Sequence, residues 1–492
     1  MQSLRRLVSG IDMTEGVAWK TILLFTIPLL IGNLFQQLFS TVDAIFLGRF
    51  VGDDALAAVG ATIPFFFLIL VISLGVGMGA GIMTAQYFGA KSREDLSHTI
   101  GTAITLSVII SLIIMIFIPL MTRPLLLILR TPPEIIDDAV LYMNILLWGI
   151  MGVVFFNMLS GILRGMGEAI APLMYLVIAC VLNISLNFIF IVVLGLGVFA
   201  VAMGTVIAQG LTSVLCLMKL YSMRHVFDMG KQYLKPKKKY VKQILKLGVP
   251  TGASQGIFAI AIMITQPLIN DFGPVFIAAY VIVMRIDGFV IMPSFSYGNA
   301  MSVFTGQNVG AGKMDRIGMA GKQTVLMSVL TSIVLVSLIL LFTRFIAGIF
   351  TDTQEVIDIT VHSLRILGIG YVAFSVTQVL WGIIRGAGDA MSPMYGALLN
   401  SVVIRIPTAF LFVYLMNRPE AIMWSLLVTW VANMFIAYFI FKRGKWRTKG
   451  IIKRAVTDSE PATENETVTE NTAEAEDVIL TQSAAVTENE LD

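Results

Sequence analysis

Twelve apolar segments, recurring about every 35 residues, constrain this chain more than any other feature. They fall near 20–46, 55–82, 98–122, 138–160, 170–194, 197–221, 243–270, 276–304, 319–345, 358–383, 392–416 and 421–441. Each is long enough for a tilted helix across a hydrocarbon core of about 30 Å, and too long for a typical strand. The chain has 492 residues, 57% hydrophobic and only 13% charged. A soluble protein of that length would carry about 25% charge. The predicted class is an all-α integral membrane protein with twelve transmembrane helices. The opening MQSLRRLVSG has no small-residue cleavage site after a short apolar core, so the first span reads as a retained anchor. Cys180 and Cys216 sit inside apolar runs and read as small hydrophobes, with no disulfide or metal framework.

The chain repeats itself in register. GILRGMGEAIAP at 161–172 returns as GIIRGAGDAMSP at 382–393, AQYFGAKS at 85–92 as GQNVGAGK at 306–313, and TIPLLIGN at 26–33 as GVPTGASQ at 248–255. The offsets are 221, 221 and 222 residues. An even number of spans per half sends both halves into the membrane the same way round. They are therefore two parallel six-helix repeats, an N-lobe and a C-lobe, with a central cavity expected at the seam.

Lys and Arg set the expected orientation. One side receives Lys91, Arg93, Arg164, the basic stretch from Lys231 to Lys246, then Lys313, Arg316, Lys322, Arg385 and the cluster from Lys442 to Arg454. The other keeps Arg49, Arg123, Arg130, Arg344 and Arg418. Both termini are expected in the cytoplasm of a cell whose cytoplasmic membrane holds the protein. The predicted division is an N-terminal lobe (1–221), a basic cytoplasmic linker (222–242), a C-terminal lobe (243–445) and a disordered acidic cytoplasmic tail (446–492). The linker's lysines suit anionic headgroups, or serve only as a topology signal.

The first span carries the most telling chemistry. Asn33, Gln36, Ser40 and Asp43 fall at i, i+3, i+7 and i+10, on one helix face. A charged Asp at the bilayer centre costs between ~2.5 and ~17 kcal/mol, so this face must look at protein or a water-filled cavity. Asp43 is expected to be protonated or to hold a cation; the alternative for the amides is interhelical glue. In the fifth span Asn183 and Asn187 share a face, as do Thr205 and Gln209 in the sixth. Aligning the halves sets Asp43 opposite Thr265, and Asn183 and Asn187 opposite Arg405 and Ala409. Oxygen-rich chemistry thus belongs to the N-lobe, and it suits Na⁺ or a proton. Asp287, Arg285, Arg365 and Arg405 are the C-lobe's intramembrane charges, with structural pairing of Asp287 to an arginine weighed against substrate contact. Pro28 and Pro250 occupy matching places, where each favours a kink that could be a moving part or a fixed bend. The glycines of GVGMGAG at 75–81 read as close helix packing, and no nucleotide site is visible.

Together the opening DMTEGVAWKTILLFTIPLLIGNLFQQLFSTVDAIFLGR, the paired QYFGA and QNVGAG loops and the paired LRGMGEA and IRGAGDA loops resemble the multidrug and toxic compound extrusion (MATE) family. The similarity runs over roughly residues 10–445. It implies a twelve-helix antiporter with two six-helix lobes, expelling cationic or amphipathic compounds in exchange for Na⁺ or H⁺. In one branch the N-lobe cation site uses an Asp in the first helix, an Asn and an Asp in the fifth, and a Thr in the sixth. Those positions read Asp43, Asn183, Asn187 and Thr205 here. Asn187 replaces a carboxylate, which weakens the case for Na⁺ and favours a protonation switch at Asp43. Another branch places acids in the seventh and tenth helices; the nearest polar groups here are Gln255 and Gln378, and that site is not carried over.

The expected function is a secondary antiporter for multidrug efflux by alternating access, and not an enzyme. Its coupling-ion residues are Asp43, Asn183, Asn187 and Thr205. The expected polar lining of the substrate cavity is Asn33, Gln36, Gln209, Gln255 and Asp287, and the expected hinges are Pro28 and Pro250. No cofactor is expected beyond the coupling ion, no metal other than Na⁺, and no nucleic-acid partner; the protein is expected to be a monomer. The alternatives are a lipid-linked precursor flippase, expected to have extra helices and a strongly cationic cavity, and a non-transporting receptor or scaffold.

Overall fold

The computed structural model describes residues 10–128 and 131–452. Among these residues eleven helices are long and apolar enough to span a membrane, and one bent pair completes a twelfth. The first six spans are Ala18–Val51, Asp54–Gly89, Arg93–Ile128, the pair Ile136–Trp148 and Ile150–Gly165, Ile170–Val193, and Gly197–Ser222. The C-lobe follows with Lys238–Asn270, Gly273–Ala311, Met314–Gly348, Gln354–Gly386, Met391–Met416 and Glu420–Lys442. The fourth span bends by 48° at Gly149, where the Val206 side chain fills the space a Cβ would need. The first and fifth spans each end in a π-helical turn, and the eleventh carries one inside. The first and seventh spans run unbroken through Pro28 and Pro250.

The glycines of the second span bring helices together backbone to backbone. A Cβ at Gly75 would lie 2.5 Å from the Gly248 carbonyl, and one at Gly79 2.6 Å from the Ile244 carbonyl, both in the seventh span. Gly77 and Gly81 point the other way, where a Cβ would lie 2.8 Å from the Asn157 and Gly161 carbonyls of the fourth span. The second span is thus clasped between its own lobe and the opposite one.

At the end of the bundle that carries the basic connections, two buried glutamines 221 residues apart seal the seam. Gln307 Nε2 donates to the Gly165 carbonyl at 2.9 Å, and its Oε1 accepts the Met13 N–H at 2.8 Å. Gln86 Nε2 donates to the Gly386 carbonyl at 3.0 Å, and its Oε1 accepts the Ile451 N–H at 2.8 Å. Each lobe therefore lends the other a glutamine, and each glutamine also ties down a segment near one terminus. This corrects the predicted tail boundary. Composition assigns 446–492 to a disordered tail, but Trp446 stacks on Phe441 at 5.4 Å and Ile451 is bonded to Gln86. The rest of the predicted tail lies outside the described residues.

Candidate functional site

Asp43 lies near the end of the first span remote from the basic connections, where the fifth and sixth spans reach it. Asn187 Nδ2 donates to Asp43 Oδ1 at 2.6 Å, and Thr205 Oγ1 donates to Oδ2 at 3.2 Å. Asn187 Nδ2 also approaches Asn183 Oδ1 at 3.3 Å. Helical spacing explains the pairing, because residues four apart on the fifth span stack on one face. Gly204 leaves the room, since a Cβ there would sit 2.7 Å from Asn187 Oδ1. Asn183 and Asn187 are both 0% exposed; Asn183 also acts on the Asp43 carboxylate, while Asn187 Oδ1 has no hydrogen-bond partner among the described residues. No Lys, Arg or His pairs with the Asp43 carboxylate among the described residues. One amide and one hydroxyl donor hold it, and the unpaired Asn187 amide oxygen lies beside it. Turning the Asn187 amide by half a rotation would put that oxygen against Asp43, which becomes favourable once a proton or a cation sits between them. No group of three His, Cys, Asp or Glu side chains is gathered among the described residues.

A separate cavity of about 220 Å³ lies at the seam. The first span lines it through Pro28, Asn33 and Gln36, and the eighth through Asn299 and Ser302. Gln36 stands seven residues before Asp43, about 10 Å along the helix at 1.5 Å per residue. The polar stripe of the first span is therefore shared, its inner part facing the cavity and Asp43 facing the fifth and sixth spans. Of the other residues expected in the lining, none borders this cavity. Gln209 keeps a buried, unpartnered Oε1 on the sixth span, and Gln255 is exposed on the seventh. Asp287 faces Tyr371 and Arg405 inside the C-lobe. One face of a helix can serve only the neighbour it meets, and of these three only Asp287 is turned to named partners, inside its own lobe. Pro250 is buried where the seventh span crosses the second.

The family model for MatE matches residues 28–189 and again 250–411. The chain belongs to the MatE family. The two matches start 222 residues apart, the register already visible in the internal repeat. Among similar proteins is the "Probable multidrug resistance protein YoeA" of Bacillus subtilis (strain 168), 28% identical over 401 residues, covering 80% of this chain and 86% of the relative. The "Probable multidrug resistance protein NorM" of Thermotoga maritima is 23% identical over 442 residues, covering 88% and 94% of the two chains. A solved structure described as MATE in the straight conformation superposes with a TM-score of 0.83 at 25% identity, covering 88% of this chain and 98% of that one.

For a MatE protein, the C-lobe here is chemically unlike the N-lobe. Arg405 stands where the repeat places Asn183, and it lies over the Phe258 ring at 5.3 Å. The cavity also takes in residues that sequence reasoning missed: Asn157, Ser160, Arg164, Asn299 and Ser302. From the sequence alone Arg164 reads only as a topology-setting charge. The one available signal was its helical spacing, four residues past Ser160, whose carbonyl and hydroxyl its guanidinium reaches at 3.1 and 3.3 Å.

Proposed function

We propose that this MatE-family membrane protein is a secondary antiporter that exports amphipathic small molecules, cationic ones included, in exchange for H⁺ or Na⁺. What supports the reading above all is the state of Asp43. It is held by Asn187 and Thr205 rather than by an arginine or by lipid, so it is free to exchange a proton or small cation. Multidrug-resistance relatives and the paired lobes supply the transport frame.

The coupling runs along the first span. Binding of the ion at Asp43 replaces the Asn187 donor contact and shifts the outer part of that helix. Pro28, which lacks a backbone N–H, is the weak point where the helix bends. The cavity wall formed by Pro28, Asn33 and Gln36 then moves, and substrate is released outward. By linkage, ion and substrate weaken each other's binding by the same factor. Entry of one positive charge gains about 2.3 kcal/mol per 100 mV of membrane potential. The proposal places both termini in the cytoplasm of a cytoplasmic-membrane monomer, with Asn183, Asn187 and Thr205 completing the ion site.

The test is efflux of a fluorescent cation from proteoliposomes, with pH and Na⁺ gradients imposed separately on wild type and Asp43→Asn. The substitution should abolish gradient-driven efflux while the protein stays folded. Coupled efflux at the wild-type rate would remove Asp43 from the mechanism.

A further inference from the structure

Arg164 is the only ionisable side chain among the residues that line the central cavity. Its Nε donates to the Ser160 carbonyl at 3.1 Å and its Nη2 to Ser160 Oγ at 3.3 Å, both on its own helix. Among the described residues no carboxylate forms an ion pair with it. The acid nearest in sequence is already committed. Glu168 caps the fifth span by accepting the Ile170 and Ala171 N–H groups at 3.1 and 3.0 Å, and it pairs with Lys219 at 3.1 Å. The guanidinium therefore borders the cavity anchored along one edge, and among the described residues its Nη1 has no protein acceptor. A guanidinium presents a planar fork of donors that matches a carboxylate or phosphate.

The remainder of the lining has the opposite bias. Asn33, Asn157 and Asn299 offer amide oxygens, and Phe25, Met78 and Phe156 offer apolar and aromatic surface. Such a wall accepts the body of an amphiphile and the positive end of a zwitterion, through carbonyl oxygens and ring faces. It has no carboxylate for a lone cation. The repeat-related Arg385 does not line the cavity, so the feature is specific to the N-lobe side.

We infer that Arg164 is a specificity-determining residue that receives a carboxylate, so that the favoured substrates are zwitterionic or anionic amphiphiles. This rests on the transport reading above and narrows its substrate class. A half-buried guanidinium held only by neutral acceptors discriminates between a guest that brings it a counter-charge and one that does not.

The experiment measures binding of rhodamine B, which has a free carboxylate, and of its ethyl ester, which has none. Purified protein in phosphatidylcholine nanodiscs is titrated by fluorescence polarisation. Wild type should bind the acid about tenfold tighter than the ester, the scale of one charge-assisted hydrogen bond. Arg164→Gln should erase that preference through the acid alone, whereas Arg164→Lys should retain part of it. A melting temperature for each variant separates lost recognition from lost folding. Equal binding of the two dyes to wild type, failure of both to bind, or a preference unchanged in Arg164→Gln would each overturn the inference. So would a preference that disappears when phosphatidylglycerol is added, because Arg164 would then be a headgroup anchor. Gradient-driven efflux of the ester, followed in parallel, reports on the antiport reading independently: retained efflux without acid preference sinks only the substrate class.

Discussion

Replacing Gln307 by Ala should unseal the basic end of the bundle. Gln307 is 0% exposed and bridges two backbone groups, the Gly165 carbonyl at 2.9 Å and the Met13 N–H at 2.8 Å. The substitution strands both. A buried polar group left without a partner costs about 1–3 kcal/mol, so the sealed state should lose about 2–6 kcal/mol relative to one in which water reaches these groups. At 1.4 kcal/mol per factor of ten, even the lower figure moves the balance by about 30-fold. The assay places a cysteine at Ser302, which lines the cavity, and follows its labelling by a membrane-impermeant maleimide in vesicles whose basic ends face the reagent. The native Cys180 and Cys216 are both buried, so background labelling should be low. Labelling should accelerate at least tenfold in the Gln307→Ala background. Gln86→Ala should act alike, because its bonds to Gly386 and Ile451 repeat the arrangement from the other lobe. Unaltered labelling in both backgrounds would refute the view that these glutamines hold the seam shut.

Two further outcomes follow from the geometry. Asn187→Asp puts a second carboxylate at the position now 2.6 Å from Asp43 Oδ1, and two like charges so close need a cation between them. Efflux driven by a Na⁺ gradient should then need at least tenfold less Na⁺, and an unchanged Na⁺ requirement would argue against a shared site. Gly79→Val forces side-chain atoms into the Ile244 carbonyl, 2.6 Å from the Cβ position alone, and overpacking of this kind costs about 1–3 kcal/mol or more. Its melting temperature should fall clearly below that of Gly60→Ala, a control in the same span with nothing within 4 Å of the added Cβ; equal melting would show that the second span is free to move aside.

The repeated apolar segments and their register were legible because a bilayer demands long apolar helices and a duplicated chain preserves spacing. The meeting of Asp43 with Asn187 and Thr205 was legible only with the family resemblance added, since spacing reveals a face but not the helix it meets. That same limit explains Gln209, Gln255 and Asp287, which are polar on apolar spans yet lie away from the cavity. Apolarity also ends too soon. The apolar pattern ends the eighth span at 304, but the helix continues to Ala311, where Gln307 bonds the opposite lobe and the N-terminal segment and Asn308 Nδ2 donates to the Met13 carbonyl. The apolar pattern ends the fourth span at 160, but the helix runs to Gly165 and carries Arg164 to the cavity. A terminal arginine looks the same in sequence whether it turns to headgroups or inward.

The alternating glycines of the second span have a mechanical consequence. Interdigitated side chains act as teeth, and a surface bearing them can shift only by jumping whole notches. Between Gly75 or Gly79 and the seventh span there are no teeth, only peptide planes against peptide planes. Such a surface is a plain bearing, with no side chains to unmesh where the two halves of the molecule meet at these glycines. Any side chain set at Gly75 or Gly79 would cut a first tooth into that bare face.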